Sequence, residues 1–311
     1  MVLGTTHKDS AKESFFVFLL KEMAMDTLFE LESNVVYSRA RGYWTSAPVG
    51  VKGTVLRLIP RSLWKRPLEL TMDIYKPSGS TSSKRPLLLM MHGGSFYIGN
   101  KEEAGQAEWC RQFASRGYVA ASINYRLGFL PAKRAFRKAE QRALDDARAA
   151  VNYLTGREDL NIDSGKVFAA GTSSGAMLAL GLAYGGQPGP DCPRIRAIGA
   201  FWGALTDLEA LDGGNVPILS FQSVNDPVMP YTKDYPFAGR LGRFKFVMAL
   251  FTDKMYGTFS IHQRALEIGI DSEHHPCAET GHRLHIDKDG LFTPRFYEMR
   301  DAMAVFFGKY L

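Results

Sequence analysis

The run PLLLMM at residues 86–91 sets the tightest limit on what this chain can fold into. Side chains along a strand point alternately to its two faces, so an unbroken apolar run bounded by polar residues and glycines describes a strand buried on both faces. Such a strand needs helices packed above and below its sheet. The sequence around it supplies them. YVAASINYR, KVFAAG, IRAIGAFWG, VPILSFQSV and SEHHPCAE read as further strands. Between and after them RAFRKAEQRALDDARAAVNYL, a segment from about Gly175, FSIHQRALEIG and PRFYEMRDAMAVFFGKYL read as helices, the last with Pro294 at its start. Alternating units of this kind predict an α/β fold, with a mostly parallel central sheet and helices on both faces. LELTMDIYKP alternates apolar and polar residues and predicts a strand with one solvated face. Residues 10–33 contain no Gly or Pro and predict a helix, so residues 1–50 are assigned to an N-terminal helical extension packing on one domain at 51–311.

The edge carrying the loops after the parallel strands is where a site is expected. KVFAAG leads there into GTSSG, residues 171–175, which fits G-x-S-x-G between a strand and a helix. In that context the pattern describes a nucleophile elbow: the central serine is held in strained backbone geometry with its hydroxyl above the sheet. Ser173 is central. Ser174 follows at the helix start, where its backbone N–H is free for developing negative charge. A serine hydroxyl needs a base, and the base an orienting group. With chain order Ser, acid, His, the acid is Asp226 just past VPILSFQSV, with Asp207 and Asp212 as alternatives. The base is His282 in ETGHRLH, with His285 as alternative. His274 and His275 fall in a strand pattern, His262 in a helix, and His7 near the terminus. The spacings of His274, His275, Cys277, His282 and His285 match no familiar zinc ligand set, so no metal is expected. Upstream, HGGS at 92–95 follows the buried strand; its amides at Gly94 and Ser95 complete an oxyanion site, with Gly93 shaping the turn.

Taken together, these residues give the chain a resemblance to the α/β-hydrolase superfamily, particularly bacterial carboxylesterases. LTMDIYKP, HGGSFYIGN, YVAASINYRLG, GTSSGAMLA, FQSVNDPVMPY and GHRLH are similar to that family's landmarks, in order, from about Leu68 onward. The resemblance implies Ser173, Asp226 and His282 as a triad and Gly94, Ser95 and Ser174 as oxyanion amides. It implies hydrolysis of short-acyl or aromatic carboxylic esters through an acyl-enzyme, with no cofactor. Many relatives carry a third glycine where this chain has Ser95, which narrows the approach to the hole. Rival readings on the same scaffold are an acetyl or feruloyl polysaccharide esterase, a thioesterase, a peptidase, or a non-catalytic binding protein. Phe96, Tyr97, Trp202, Met229 and Tyr231 flank the proposed loops and are candidates for an apolar substrate pocket. The aromatic- and Gly-rich stretch after Asp226 is too long for a bare connection and predicts a small lid-like insertion at 229–258.

Composition narrows the partners. The chain has 311 residues, 45% hydrophobic and 23% charged, the profile of a globular protein. Its net charge of +6 is spread over PRSLWKRP, PAKRAFRKAEQR and GRLGRFKF, a pattern of solvated faces rather than a nucleic-acid surface. A small-molecule ester is the expected partner, and the N-terminal region leaves room for a homodimer contact. Cys110, Cys192 and Cys277 show no C-x-x-C pairing, which argues against a disulfide scaffold and for a reducing, cytoplasmic setting. No apolar run approaches the roughly 18 residues of a membrane span. ESFFVFLLKEMAM has an apolar core of only Phe15–Leu20 behind Glu13 and reads as amphipathic helix; secretion would require a leader already removed.

Overall fold

In the computed structural model the described residues are 28–47, 64–79, 81–130, 132–185 and 192–311. In chain order they form β1 (Phe29–Gly42), β2 (Arg66–Pro77), β3 (Arg85–Met91), α1 (Ala104–Ala114), β4 (Val119–Ile123) and α2 (Lys133–Thr155). Next come β5 (Ile162–Thr172), α3 (Ser174–Tyr184), β6 (Ile195–Phe201), β7 (Ala204–Leu205), β8 (Ile218–Ser223) and β9 (Lys233–Asp234). The chain closes with α4 (Ala238–Leu241), β10 (Met255–Gly257), α5 (Thr258–Glu267), β11 (Ser272–Cys277) and α6 (Pro294–Gly308).

Eight strands form one sheet in the order β1-β2-β4-β3-β5-β6-β8-β11. Strands β4 to β11 pair parallel, while β1 with β2 and β2 with β4 pair antiparallel. The apolar run in β3 behaves as its composition requires: Leu87 through Met91 are fully buried. Leu87, Leu89 and Met91 pack with α2 and α3 residues such as Val151 and Met177. Leu88 and Met90 pack on the other face with Trp109, Phe168 and Phe307. One strand thus serves two cores, which fixes its register against slippage.

The helix expected over residues 10–33, and with it the all-helical extension over 1–50, does not hold where the chain is described. Phe29–Gly42 is the edge strand β1. Its alternation of Phe29, Leu31 with Glu30, Glu32 and its paired Val35, Val36 favour a pleated strand; the absence of Gly and Pro says nothing between the two states. Residues 1–27 lie outside the described residues.

A buried ion pair holds this end of the sheet to the loop after β3. Lys101 Nζ lies 2.7 Å from Asp73 Oδ2, with side chains 1% and 8% exposed. Asp73 Oδ1 accepts the Asn34 N–H at a bulge in β1, at 2.8 Å. The Lys101 backbone is bonded by Asn124 and Ser122 of the β4 region. Removing one member of a buried pair strands the other charge. Lys101→Met is therefore expected to destabilise the chain by about 3–5 kcal/mol, read as a shift in the urea midpoint. Adding Asp73→Asn to Lys101→Met is expected to recover part of that loss.

Candidate active site

Strand β5 ends and α3 begins within GTSSG, and Ser173 at the join has φ 54° and ψ −119°. A non-glycine residue there is strained by about 1–3 kcal/mol. The surroundings hold it in place. Ser173 N–H donates to Phe201 O at 2.9 Å. A Cβ added at Gly175 would lie 2.0 Å from Met91 O of β3, and one at Gly171 would lie 2.4 Å from the Gly175 backbone. Only glycines let the turn sit this close to the neighbouring strand.

Across from the elbow, β8 ends in a turn where Asn225 N–H donates to Ser223 Oγ at 3.1 Å. Asp226 Oδ1 then accepts the N–H groups of Val228 and Met229 at 2.8 and 3.0 Å. Its side chain is wholly enclosed. His282 Nδ1 lies 2.8 Å from Asp226 Oδ2 and 3.0 Å from Oδ1. Its Nε2 lies 2.9 Å from Ser173 Oγ. An ionised carboxylate only accepts, so Nδ1 carries the proton and Nε2 is the acceptor facing the serine. Trp202, itself at φ 43°, sets its ring edgewise to His282 at 6.2 Å.

The other candidates lie elsewhere. Asp207 caps the Glu209 N–H, and Asp212 pairs with Arg264. His285 is stacked between Trp109 and Trp202, and burial pushes its imidazole down to about 3. His274 bonds Ser220 and Tyr231, His275 meets Glu273, and His262 meets Ser272. Of the five residues weighed as zinc ligands, His282 faces Asp226 and Ser173, His274, His275 and His285 face the other groups just named, and Cys277 is buried at the end of β11. His7 lies outside the described residues.

The HGGS loop is folded around its own backbone. His92 Nδ1 donates to Gly93 O at 2.7 Å, and Tyr125 OH donates to His92 O at 2.6 Å under a stacked ring pair. Gly94 has φ 116°, and a Cβ there would lie 2.0 Å from Ile98 O. Ser95 and Phe96 follow at φ 55° and 57°. The N–H groups of Gly94, Ser95 and Ser174 donate to no acceptor among the described residues. Gly93 packs on the elbow, where its Cβ would lie 3.2 Å from Ser173 Cβ.

A cavity of about 110 Å³ opens at Ser173, lined almost entirely by carbon. Of the five pocket candidates, Phe96 and Met229 line it. Tyr97 packs on Trp44 and Phe129, Trp202 lies behind His282, and Tyr231 stacks on Phe259. The sequence reading missed Phe129, Phe136, Met177, Phe237, Met248, Phe251 and Met255. Met177 had a signal, since it lies one helical turn beyond Ser173 on α3. Four of the seven belong to the insertion expected at 229–258. That insertion folds as β9, α4, a 3₁₀ helix over Gly242–Leu250 and β10, with β9 and β10 joining β7 in a small sheet. Asp253 ties it to Lys133 and Arg137 of α2.

Residues 72–188 match the family model BD-FAE. Gut esterase 1 of Caenorhabditis elegans is 38% identical over 61 residues, 20% of this chain and 10% of that protein. The non-reducing polyketide synthase ausA of Emericella nidulans is 35% identical over 123 residues, 38% of this chain and 5% of that protein. The chain thus spans a small fraction of the length of the curated relatives it matches. Thermogutta terrifontis esterase 2 superposes with a TM-score of 0.58 at 17% identity, covering 78% of this chain and 89% of the other. The chain has the α/β-hydrolase fold, and over residues 72–188 it is similar to the BD-FAE family, esterases of that fold type.

Proposed function

We propose that this chain is a serine carboxylesterase acting on short-acyl or aromatic esters. His282 removes the Ser173 proton as Oγ attacks the ester carbonyl carbon. Asp226 holds the imidazole and stabilises its charged form. The tetrahedral oxyanion is met by the amides of Gly94, Ser95 and Ser174. His282 then protonates the departing alkoxide, and a water, deprotonated by the same imidazole, releases the acid and restores Ser173. No metal or organic cofactor takes part. One observation carries this reading: an enclosed carboxylate, an imidazole and a strained serine hydroxyl in an unbroken hydrogen-bonded line.

The cavity supports the acyl preference. At about 110 Å³ it is smaller than the space that accepts benzene in an engineered apolar core, about 150 Å³. Thermogutta terrifontis esterase 2 has been captured with propionate and with butyrate bound, acids of fitting size. The 229–258 insertion acts here as a roof over the acyl group. A thioester would pass through the same steps, and the match to polyketide synthases makes acyl thioesters a useful comparison substrate.

Thermogutta terrifontis esterase 2 is also known phosphonylated by cyclosarin. A fluorophosphonate probe should likewise label this chain at Ser173, read by peptide mass spectrometry, with no label on Ser173→Ala. A folded wild-type chain that stays unlabelled would instead favour a non-catalytic binding protein. With p-nitrophenyl esters, kcat/KM is expected to drop from butyryl to octanoyl, and Met177→Ala should shift the optimum toward longer acyl chains. Gly94→Ala introduces a clash with Ile98 O beside the oxyanion amides. It should lower kcat about 10²–10³-fold, the cost of one such donor, with KM little changed. His285, held neutral by burial, gains no proton in the fold until far below the ordinary histidine range. The unfolded chain protonates it near pH 6.5, so stability is lost as pH falls from there toward 3. His285→Phe should flatten that part of a Tm-against-pH profile while leaving turnover at neutral pH largely intact.

A further inference from the structure

The insertion that roofs the cavity has a second side. Gly242–Leu250 is a 3₁₀ helix, in which residues three apart line up. The line Gly242, Lys245, Met248 ends at the cavity, which Met248 lines. The line Phe244, Val247, Leu250 is wholly apolar and faces solvent, with exposures of 55%, 38% and 70%. On the remaining line Phe246 is 64% exposed. Single exposed apolar side chains are ordinary, whereas four within one short helix form a patch of the kind that marks a contact surface.

The rim of this patch is basic. Arg240 and Arg243 are exposed, and neither meets a carboxylate among the described residues. The Arg243 guanidinium lies 5.0 Å over the Phe244 ring. Lys245 takes up Asp234 at 2.6 Å, and Asp253 is taken up by Lys133 and Arg137. The nearby acids are thus engaged, while the two arginines are not.

We propose that this helix docks on an anionic lipid surface. Phe244, Phe246 and Leu250 enter the boundary between headgroups and acyl chains, and Arg240 and Arg243 lie at headgroup level. Charge selects this occupant over a second copy of the chain. A two-fold contact through the same patch would bring each copy's unpaired arginines toward the other's, and like charges would oppose burial of the apolar line. An anionic bilayer satisfies both features together. Because Met248 belongs to the same helix, docking brings one wall of the cavity close to the lipid phase, where apolar esters concentrate.

The test is co-sedimentation of the full chain carrying Ser173→Ala with phosphatidylcholine vesicles and with vesicles also containing phosphatidylserine. Binding is expected on the mixed vesicles and should weaken with added salt. Phe244→Ser/Phe246→Ser/Leu250→Ser and, separately, Arg240→Glu/Arg243→Glu should each reduce partition roughly tenfold or more. With Ser173 restored, both variants should turn over a soluble short ester at the unsubstituted rate, which shows that they fold. Equal partition on the two vesicle types, or partition unaffected by both variants, would overturn the proposal. So would a concentration-dependent dimer that the triple variant dissolves while no vesicle binding is seen. Since partition is read in the Ser173→Ala chain, it stands or falls apart from the esterase reading.

Discussion

The close approach of the Ser173 turn to the end of β3 is the constraint on which the rest of the site depends. Gly175 sits where any side-chain carbon would clash with the Met91 carbonyl, and a side-chain carbon at Gly93 would press closely on the serine itself. The same few ångströms therefore join the Ser173 turn, the loop with the free amides, and the strand whose two faces serve both cores. Strain at Ser173 is held there by the close packing of Gly171, Gly175 and Gly93 on neighbouring backbone. The site inherits its precision from a strand buried on both faces, not from its own loops.

Asp226 and His282 meet this rigid centre from the far half of the sheet. Asp226 is fixed by two backbone amides before it touches the imidazole, so its position owes little to His282. The imidazole is steadied by the carboxylate on one side and by Trp202 on another, with His285 stacked behind as an uncharged spacer. Each member of the proposed proton-transfer line is thus placed in part by groups outside it, which is the physical content of preorganisation.

How much of this the sequence disclosed follows from the range of the interactions. The β3 run, the elbow and the His92–Ser95 loop are local patterns whose chemistry is complete within ten residues. Asp226 stood out because it follows a strand at the edge where the loops converge, with Pro227 to break that strand, whereas Asp207 and Asp212 come after the preceding strand. The cavity was not legible in the same way. Its walls come from Phe129 and Phe136 before and within α2, Met177 on α3, and Phe237, Met248 and Phe251 in the insertion. No periodicity links those segments; only the tertiary fold brings them together. Residues 29–33 misled for a different reason: absence of helix breakers was weighed above the apolar–acidic alternation, and antiparallel pairing with β2 decided the outcome.

The two margins of the large sheet have a consequence for assembly. The outer margin of β1 is bulged at two places and carries Arg39 and Arg41, while β11 at the opposite margin is short and contains Pro276, which has no N–H to give. Among the described residues neither margin offers a flat row of backbone groups to another chain. Growth by adding strands is disfavoured in both directions, which favours partners that settle on a face of the molecule and leave its hydrogen-bonded frame untouched.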